Sequence, residues 1–156
     1  MKPTIRQSGI VNTQFGEDVV IVEPVNLYDC VIGNRVFIGP FTEVQRGVIV
    51  GDGTRVQSHS FICEGVTIGS NCFIAHGVVF INDTFASGGP AGDRSKWKET
   101  RIGDRVSIGS NSTILPVVIC SDVVIGAGAV VTRDITEPGF YAGNPARLIK
   151  RKGQEK

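Results

Sequence analysis

Apolar residues recur at every sixth position over a long stretch of the chain. The unbroken series is Ile32, Ile38, Val44, Val50, Val56, Ile62, Ile68, Ile74 and Phe80. The spacing resumes at Ile102, Ile108 and Ile114, and again at Ile125 and Val131. Small or β-branched residues stand four positions after the members of the series, at Val36, Thr42, Val48, Thr54, Ser60, Val66, Cys72 and Val78. A period of six fits neither the turn of a helix nor the alternation of a strand.

This period predicts a chain that turns after every short strand. Each hexapeptide supplies one flat side and one corner, so three hexapeptides close a coil of about 18 residues whose strands pair with the next coil. About six to seven coils fit into the chain, and we expect the marked residues to point into a continuous core. The steps from Leu27 to Ile32 and from Ile114 to Ile119 are one position shorter than the period. Two corners are therefore expected to be one residue short.

Composition supports an all-β protein. Val and Ile together number 38, whereas Leu numbers 3 and Met 1, and 20 of the 156 residues are Gly. The formal net charge of +1 provides no general attraction to nucleic acid or to an anionic membrane. The four cysteines form no Cys-x-x-Cys pair, and the first residues contain no apolar signal segment. We therefore expect a soluble cytoplasmic protein without nucleic-acid or membrane partners.

The repeat, together with two later segments, resembles the hexapeptide-repeat acyltransferases. The first segment runs from Ile125 to Val131 (IGAGAVV) and the second from Tyr141 to Ala146 (YAGNPA). The resemblance implies a left-handed parallel β-helix, a homotrimer and the use of acetyl-CoA. Its handedness comes from the resemblance alone, because the general rule for parallel crossovers predicts the opposite hand. We expect a single domain over residues 1–156 with an inserted loop at 82–101.

That interruption reads NDTFASGGPAGDRSKWKETR. In so regular a repeat, a long irregular excursion is often a functional loop, although it can also be a tolerated surface insertion. Its polar and aromatic residues Asp93, Arg94, Lys96, Trp97 and Lys98 suit contacts with phosphate, carboxylate and a flat ring. A solvated charge cluster around a packing Trp97 is the alternative.

Two further candidates flank the break. Moving by one coil places His76 above Ser58 at a corner, where its ring should reach the outer surface and act as a general base, a substrate ligand or an ordinary corner histidine. His59 is interpreted as structural. Asn82 stands where the chain leaves the coil, so it either touches substrate or caps the turn.

The segment from Phe80 to Pro90, followed by Gly92, Asp93, Arg94 and Trp97, is similar to a narrower group of bacterial enzymes. These acetylate the 3-amino group of UDP-linked 2-acetamido-3-amino-2,3-dideoxyglucuronate, a precursor of surface polysaccharide such as lipopolysaccharide O-antigen. The resemblance implies that Asn82 lies beside the reacting amine of a nucleotide-linked amino sugar. Asp83, Arg94, Lys96 and Trp97 are the predicted substrate-binding residues.

The coils after the loop are the predicted cofactor end. Gly109, Ser110, Ala127 and Gly128 offer backbone that acetyl-CoA could approach closely. Asn144 and Pro145 read as the cap and first turn of a short C-terminal helix. Arg147 follows them, and the basic run from Lys150 to Lys152 is either part of this site or an ordinary charged tail.

Three other functions are open to a chain with these residues. A zinc carbonic anhydrase on this fold needs three histidine ligands, whereas the chain contains only His59 and His76, so no metal is expected. A non-catalytic binding or assembly module leaves the long loop without a purpose. A sugar O-acetyltransferase of the same fold is the nearer alternative, since attack by a hydroxyl depends more strongly on His76 as base.

Overall fold

A computed structural model describes residues 3–5 and 8–153, and within them it contains 21 short strands and one 3-10 helix, Arg94–Lys96. The strands are β1 (Ile10–Val11), β2 (Gln14–Phe15), β3 (Val20–Ile21), β4 (Asn26–Tyr28), β5 (Val31–Ile32), β6 (Phe37–Ile38), β7 (Glu43–Val44), β8 (Ile49–Val50), β9 (Arg55–Val56), β10 (Phe61–Ile62), β11 (Val66–Ile68), β12 (Phe73–Ile74), β13 (Val79–Phe80), β14 (Thr100–Ile102), β15 (Ser107–Ile108), β16 (Thr113–Ile114), β17 (Val118–Ile119), β18 (Val124–Ile125), β19 (Val130–Val131), β20 (Gly139–Ala142) and β21 (Arg147–Arg151).

From β1 to β19 every third strand belongs to the same sheet, so this part of the chain winds around a three-sided prism, and β20 and β21 extend the third sheet. The first sheet has the order β1-β4-β7-β10-β13-β16-β19, the second β17-β14-β11-β8-β5-β2, and the third β21-β20-β18-β15-β12-β9-β6-β3. All neighbouring strands pair in parallel except β20 and β21. The seven-stranded first sheet corresponds to about seven turns of a β-solenoid. This architecture confirms the all-β prediction and is consistent with a left-handed β-helix.

The register between coils shows where the repeat departs from regularity. Phe37 pairs with Arg55, a step of three full hexapeptides, whereas the step from Val20 to its partner Phe37 is one residue shorter. The same shortening after Ile114 lets Ser107 pair with Val124. Both short corners predicted from the spacing are therefore absorbed by coils that lack one residue, and the strands on either side stay paired.

The interior contains the residues that the period of six marks. All members of the unbroken series are at most 1% exposed, and Phe80 is completely buried. The residues four positions later are buried as well, including the polar Thr42, Thr54 and Ser60. Thr54 and Ser60 donate their hydroxyl hydrogens to the carbonyl oxygens of Gly69 and Ala75, which satisfies these groups inside the core.

Glycine follows the marked residue at several corners because adjacent coils approach closely there. A Cβ atom at Gly51 would lie 2.6 Å from the carbonyl carbon of Gly69, and one at Gly109 would collide with the backbone of Ala127. Packing between coils is therefore a sufficient reason for glycine at position 109, whatever else binds there.

The predicted C-terminal helix is wrong. After Gly143, which has a φ of 96°, the chain turns back, and β21 pairs antiparallel with the edge of β20. The open edge of β20 offers unpaired backbone groups, and pairing with β21 satisfies more of them than a short helix would. An Asn-Pro pair suits a turn as well as a helix start. Asn144 accordingly lies in the turn of a hairpin and caps no helix.

Candidate functional site

One edge of the prism, between the third and first sheets, carries His76. We call it the histidine corner, formed by Ser58, His76, Ser110 and Ala127 in successive coils. Backbone hydrogen bonds connect these coils, since the N–H of Asn111 donates to the carbonyl oxygen of His76 over 2.9 Å. His76 is exposed, as the coil arithmetic predicted.

The imidazole of His76 is oriented by the coil before it. Its Nδ1 lies 2.8 Å from the hydroxyl oxygen of Ser58. When Nδ1–H donates to that oxygen, Nε2 is left as a lone-pair acceptor that faces away from the coil. In this tautomer the exposed nitrogen can take a proton from a bound nucleophile.

The opposite edge of the first sheet carries Asn82. We call it the loop corner, formed by Arg46, Glu64 and Asn82, which are spaced one coil apart. The side-chain amide of Asn82 donates to the carbonyl oxygen of Glu64 over 2.9 Å, and its main-chain carbonyl oxygen accepts from the N–H of Lys98 over 3.1 Å. Asn82 thus closes the base of the loop, and no donor within the described part of the chain contacts its Oδ1.

The loop is shaped by two carboxylates. Asp83 accepts hydrogen bonds from the backbone N–H groups of Phe85 (2.9 Å) and Ala91 (2.8 Å), one on each oxygen. The hydrogen bond from Ala91, followed by the weaker effect of the one from Phe85, lowers the pKa of Asp83 from its ordinary value. Asp93 caps the 3-10 helix by accepting from the N–H of Ser95. Both oxygens of Asp83 therefore serve the loop itself.

The predicted basic and aromatic residues of the loop project from the 3-10 helix. The guanidinium of Arg94 lies 5.8 Å from the ring centre of the half-buried Trp97, and its Nη1 is 3.8 Å from Oε2 of Glu64. At 60% side-chain exposure and this distance, Arg94 is held only loosely. Lys96 is exposed to solvent.

Arg94 also reaches over the early coils. It lines a cavity of about 470 Å³ together with Asn26, Tyr28, Asp29 and Arg46. Burial, followed by the charge of Glu43, raises the pKa of Tyr28, so this phenol is neutral in the ordinary range of pH. Sequence reasoning missed Arg46 and Glu64, although both lie a whole number of coils before Asn82, a spacing that could have identified them.

The predicted cofactor residues fall into two groups. Gly109, Ser110, Ala127 and Gly128 all lie along the histidine corner, where the last two are exposed. Arg147 begins β21 and lines a cavity of about 190 Å³ with Arg133 near the last coil.

The remaining basic residues of the tail lie elsewhere. Lys150, Arg151 and Lys152 line a cavity of about 330 Å³ on the third sheet, with Arg105 and Asp122. Asp122 accepts from both Arg105 (3.0 Å) and Lys152 (2.6 Å), which holds the pKa of its carboxyl far below the usual range. The basic tail is thus divided between two surfaces.

The structure does not bring the two predicted catalytic residues together. His76 precedes β13 and Asn82 follows it, so their side chains lie at opposite edges of the first sheet within one chain. His76 shares its edge with the predicted cofactor residues, and Asn82 shares its edge with Glu64 and Arg94. Any site that uses both edges of this sheet needs a ligand or a second chain to connect them.

Residues 3–5 and 8–153 also bear on metal binding, membrane crossing and cysteine reactivity. No group of three or more His, Cys, Asp or Glu side chains in this range could hold a metal ion. No helix in the same range is long and apolar enough to cross a membrane. Burial raises the pKa of the Cys63 thiol to about 12, so this cysteine is not a nucleophile at neutral pH.

Two family models match the chain over its coils. One, described as the hexapeptide repeat of succinyl-transferase, covers residues 58–80 and 99–133, and the other, described as the bacterial transferase hexapeptide (six repeats), covers residues 29–63. Together they span more than half of the sequence. The chain belongs to the hexapeptide-repeat transferase family. The two stretches of the first match stop and restart at the loop, as expected for an insertion into the repeat.

Similar proteins within this family are acetyltransferases and acyltransferases. A segment of 64 residues, 40% of this chain, is 41% identical to 28% of the chloramphenicol acetyltransferase of Agrobacterium fabrum. The matched segments span at most about a third of the curated relatives. The polySia specific acetyltransferase NeuO has a TM-score of 0.62 at 27% identity, over 90% of this chain and 82% of that one.

A further solved structure is that of a variant of AntD, an N-acyltransferase from Bacillus cereus, in complex with dTDP and coenzyme A. It superimposes with a TM-score of 0.78 over 92% of this chain and 86% of that one. At 24% identity, this likeness concerns the fold.

Proposed function

We propose that this chain is an acetyl-CoA-dependent N-acetyltransferase that acts on the amino group of a nucleotide-linked amino sugar. The observation that carries the proposal is Asn82, which is fixed by hydrogen bonds to Glu64 and Lys98 while its Oδ1 remains open beside the loop. AntD, the N-acyltransferase solved with dTDP and coenzyme A, supports the same chemistry on this fold. The finer proposal is the 3-amino group of UDP-2-acetamido-3-amino-2,3-dideoxyglucuronate, since the loop sequence resembles that of enzymes acting on it.

The chemistry requires few groups because a thioester is already activated. The neutral amine attacks the acetyl carbonyl carbon, a C–N bond forms, the C–S bond breaks, and coenzyme A leaves as its thiolate. Oδ1 of Asn82 accepts one amine hydrogen and so directs the nitrogen lone pair at the carbonyl carbon. The amine proton passes to Nε2 of His76 or to the departing thiolate.

In a homotrimer, the histidine corner and the loop corner of neighbouring chains can form one site. Threefold packing of prisms can set the histidine corner of one chain against the loop corner of the next, so that Asn82 faces His76 of the partner subunit. Acetyl-CoA would then run along Ser110 and Ala127 towards Arg147, with its reactive end at the histidine. Light scattering that shows a monomer at micromolar concentration would remove this arrangement.

The decisive experiment measures thiol release from acetyl-CoA with a panel of UDP- and dTDP-linked amino sugars. The wild-type protein should acetylate at least one amine, and Asn82→Ala should lose more activity than His76→Ala. The loss for His76→Ala should be about 10- to 100-fold and should shrink as the pH rises, because a neutral amine needs little help from a base. Thr84→Ala, an exposed truncation in the same loop, is the control and should retain full activity.

One observation favours a second candidate, a sugar O-acetyltransferase. When Nδ1–H of His76 donates to Ser58, the contact leaves Nε2 as a base, and a hydroxyl nucleophile needs one. A loss above ten-thousandfold for His76→Ala that persists at alkaline pH would select this reaction over N-acetylation.

A further inference from the structure

An exposed aromatic pair extends the histidine corner towards the N terminus. Phe41 stands two coils, or about 10 Å, before Gly77, the residue that follows His76 at this corner. Its φ is 59°, a conformation that bulky residues rarely adopt, and it remains 59% exposed. A large apolar ring is therefore exposed to solvent at a corner where the neighbouring coils have smaller residues.

The Phe41 ring has two kinds of neighbour. One is His59 of the next coil, with ring centres 4.8 Å apart and planes inclined by 31°. Phe41 also lines a cavity of about 280 Å³ that His59 does not reach and that is formed with Pro24, Val25, Asn26, Thr42 and Glu43. Phe41 thus both contacts a supporting imidazole and lines an open pocket of the size of a flat ring system.

This pocket is continuous with the charged surface around the loop. Asn26 lines both the Phe41 cavity and the larger cavity that contains Arg46 and Arg94. An aromatic surface, an amide and two guanidinium groups follow one another across the outer face of the first sheet. Rings of this kind stack on nucleobases, and guanidinium groups bind phosphate.

The positions of the predicted acetyl-CoA residues indicate which of the two substrates the Phe41 pocket binds. The predicted cofactor residues, from Gly109 to Gly128, all lie on the C-terminal side of His76, whereas Phe41 and His59 lie on its N-terminal side. An adenine of acetyl-CoA bound along the later coils therefore extends away from this pair. The pocket is placed for the second substrate.

We propose that Phe41, supported by His59, stacks the base of the acceptor nucleotide, and that the phosphates of this nucleotide extend towards Arg46 and Arg94. The assignment rests on the proposed function, since it takes a nucleotide-linked acceptor as given. It adds a stacking site for the base, outside the loop, to Arg94, which is already a predicted substrate-binding residue.

The test is equilibrium binding of UDP and dTDP to the intact protein by titration calorimetry. Phe41→Ala should weaken binding of at least one of them by about 5- to 100-fold, the range expected for loss of one stacked base. Phe41→Trp should restore it. Phe85→Ala is the matched control, because Phe85 is also 59% exposed with a positive φ, yet lies in the loop. Ribose 5-phosphate, which has no base, should bind both Phe41 forms equally.

Unchanged nucleotide affinity in Phe41→Ala would overturn the inference, as would a wild-type protein that binds neither nucleotide. A selective loss of coenzyme A affinity, or dissociation of an oligomer, would overturn it too, by assigning the pair to the cofactor or to chain packing instead. The outcomes also separate the two proposals. Nucleotide binding that depends on Phe41, in a protein that acetylates no amino sugar, would refute the proposed function alone. Acetyl transfer to an amino sugar, in a protein whose nucleotide binding does not depend on Phe41, would refute the stacking alone.

Discussion

The coils and the loop are built on different principles. In the coils every marked side chain from Ile32 to Val131 is at most 4% exposed, whereas no residue from Asn82 to Glu99 is buried. The coils are stabilised by a shared interior, and the loop is shaped by a few hydrogen bonds of Asn82, Asp83 and Asp93. Coil sequence is therefore constrained by packing, and loop sequence is free to serve binding.

The same truncation on either side of the boundary should show the largest contrast. Phe80→Ala removes a fully buried ring from the core and should lower the free energy of unfolding by about 3–5 kcal/mol. Phe85→Ala, in the loop and 59% exposed, should change it by less than about 0.5 kcal/mol. Urea unfolding of both variants measures the difference. Equal losses would show that the loop packs as part of the core.

Removing the loop should leave stability intact and lower activity instead. Replacement of Ser87 to Lys98 by a glycine bridge should leave coil stability and coenzyme A affinity close to normal, because the neighbouring repeats bury their own core. Turnover of an amino-sugar substrate should fall by about 100-fold or more, since acceptor positioning is lost. Undiminished turnover in a folded, shortened protein would make the loop a passive insertion and remove the support for a site at Asn82.

Glycine substitutions should give a smaller difference in stability between the coils and the loop. Gly51→Ala places a Cβ 2.6 Å from the backbone of Gly69 and should cost about 1–3 kcal/mol of stability. A Cβ at Gly89 in the loop meets no atom within 4 Å, so Gly89→Ala should be neutral or slightly stabilising. Thermal unfolding of the pair is sufficient. A destabilised Gly89→Ala would indicate that the loop is more tightly packed than its exposure suggests.

The smallest expected effect is a loss of order in the loop when Asp83 is protonated in acid. The backbone N–H groups of Ala91 and Phe85 lower the pKa of Asp83, so the carboxylate orders the loop above its unfolded pKa of about 4. This contribution is lost as the pH falls through the lower, folded value. Hydrogen exchange at the Ala91 amide, corrected for intrinsic rates, should therefore accelerate in acid, whereas Asp83→Asn should show no such pH dependence. Constant protection in the wild-type protein down to pH 2 would contradict this role.

Most of the coil architecture could be predicted from the sequence because one period governs it. The marked positions are buried, and counting by coils correctly placed His76 against Ser58. The loop was predicted to end at Arg101, but Thr100 and Arg101 already belong to β14. The helix at Asn144 failed because the same residues suit a turn beside an open strand edge.

The candidate site was harder to predict than the fold. Burial and spacing indicate which residues face outward, but they do not show which outward residues converge. His76 and Asn82 are separated by a single hexapeptide in sequence, yet lie at different edges of the prism. Conversely, Phe41 and His59 are a full coil apart in sequence and stack on each other. The second relation follows from the coil length, so counting by coils from every exposed aromatic residue would have found it.

The register across the loop sets the entropic cost of carrying it. Val66 pairs with Thr100 on the far side of the loop, so their separation in sequence is nearly twice that of Phe37 and Arg55 in an uninterrupted coil. Because loop-closure entropy grows only with the logarithm of length, each doubling costs about 0.6 kcal/mol. An array with this many stacked coils can absorb such a cost at a single corner. Under the proposed function, acceptor recognition can therefore diversify through the length and sequence of this one segment while the rest of the solenoid remains as it is.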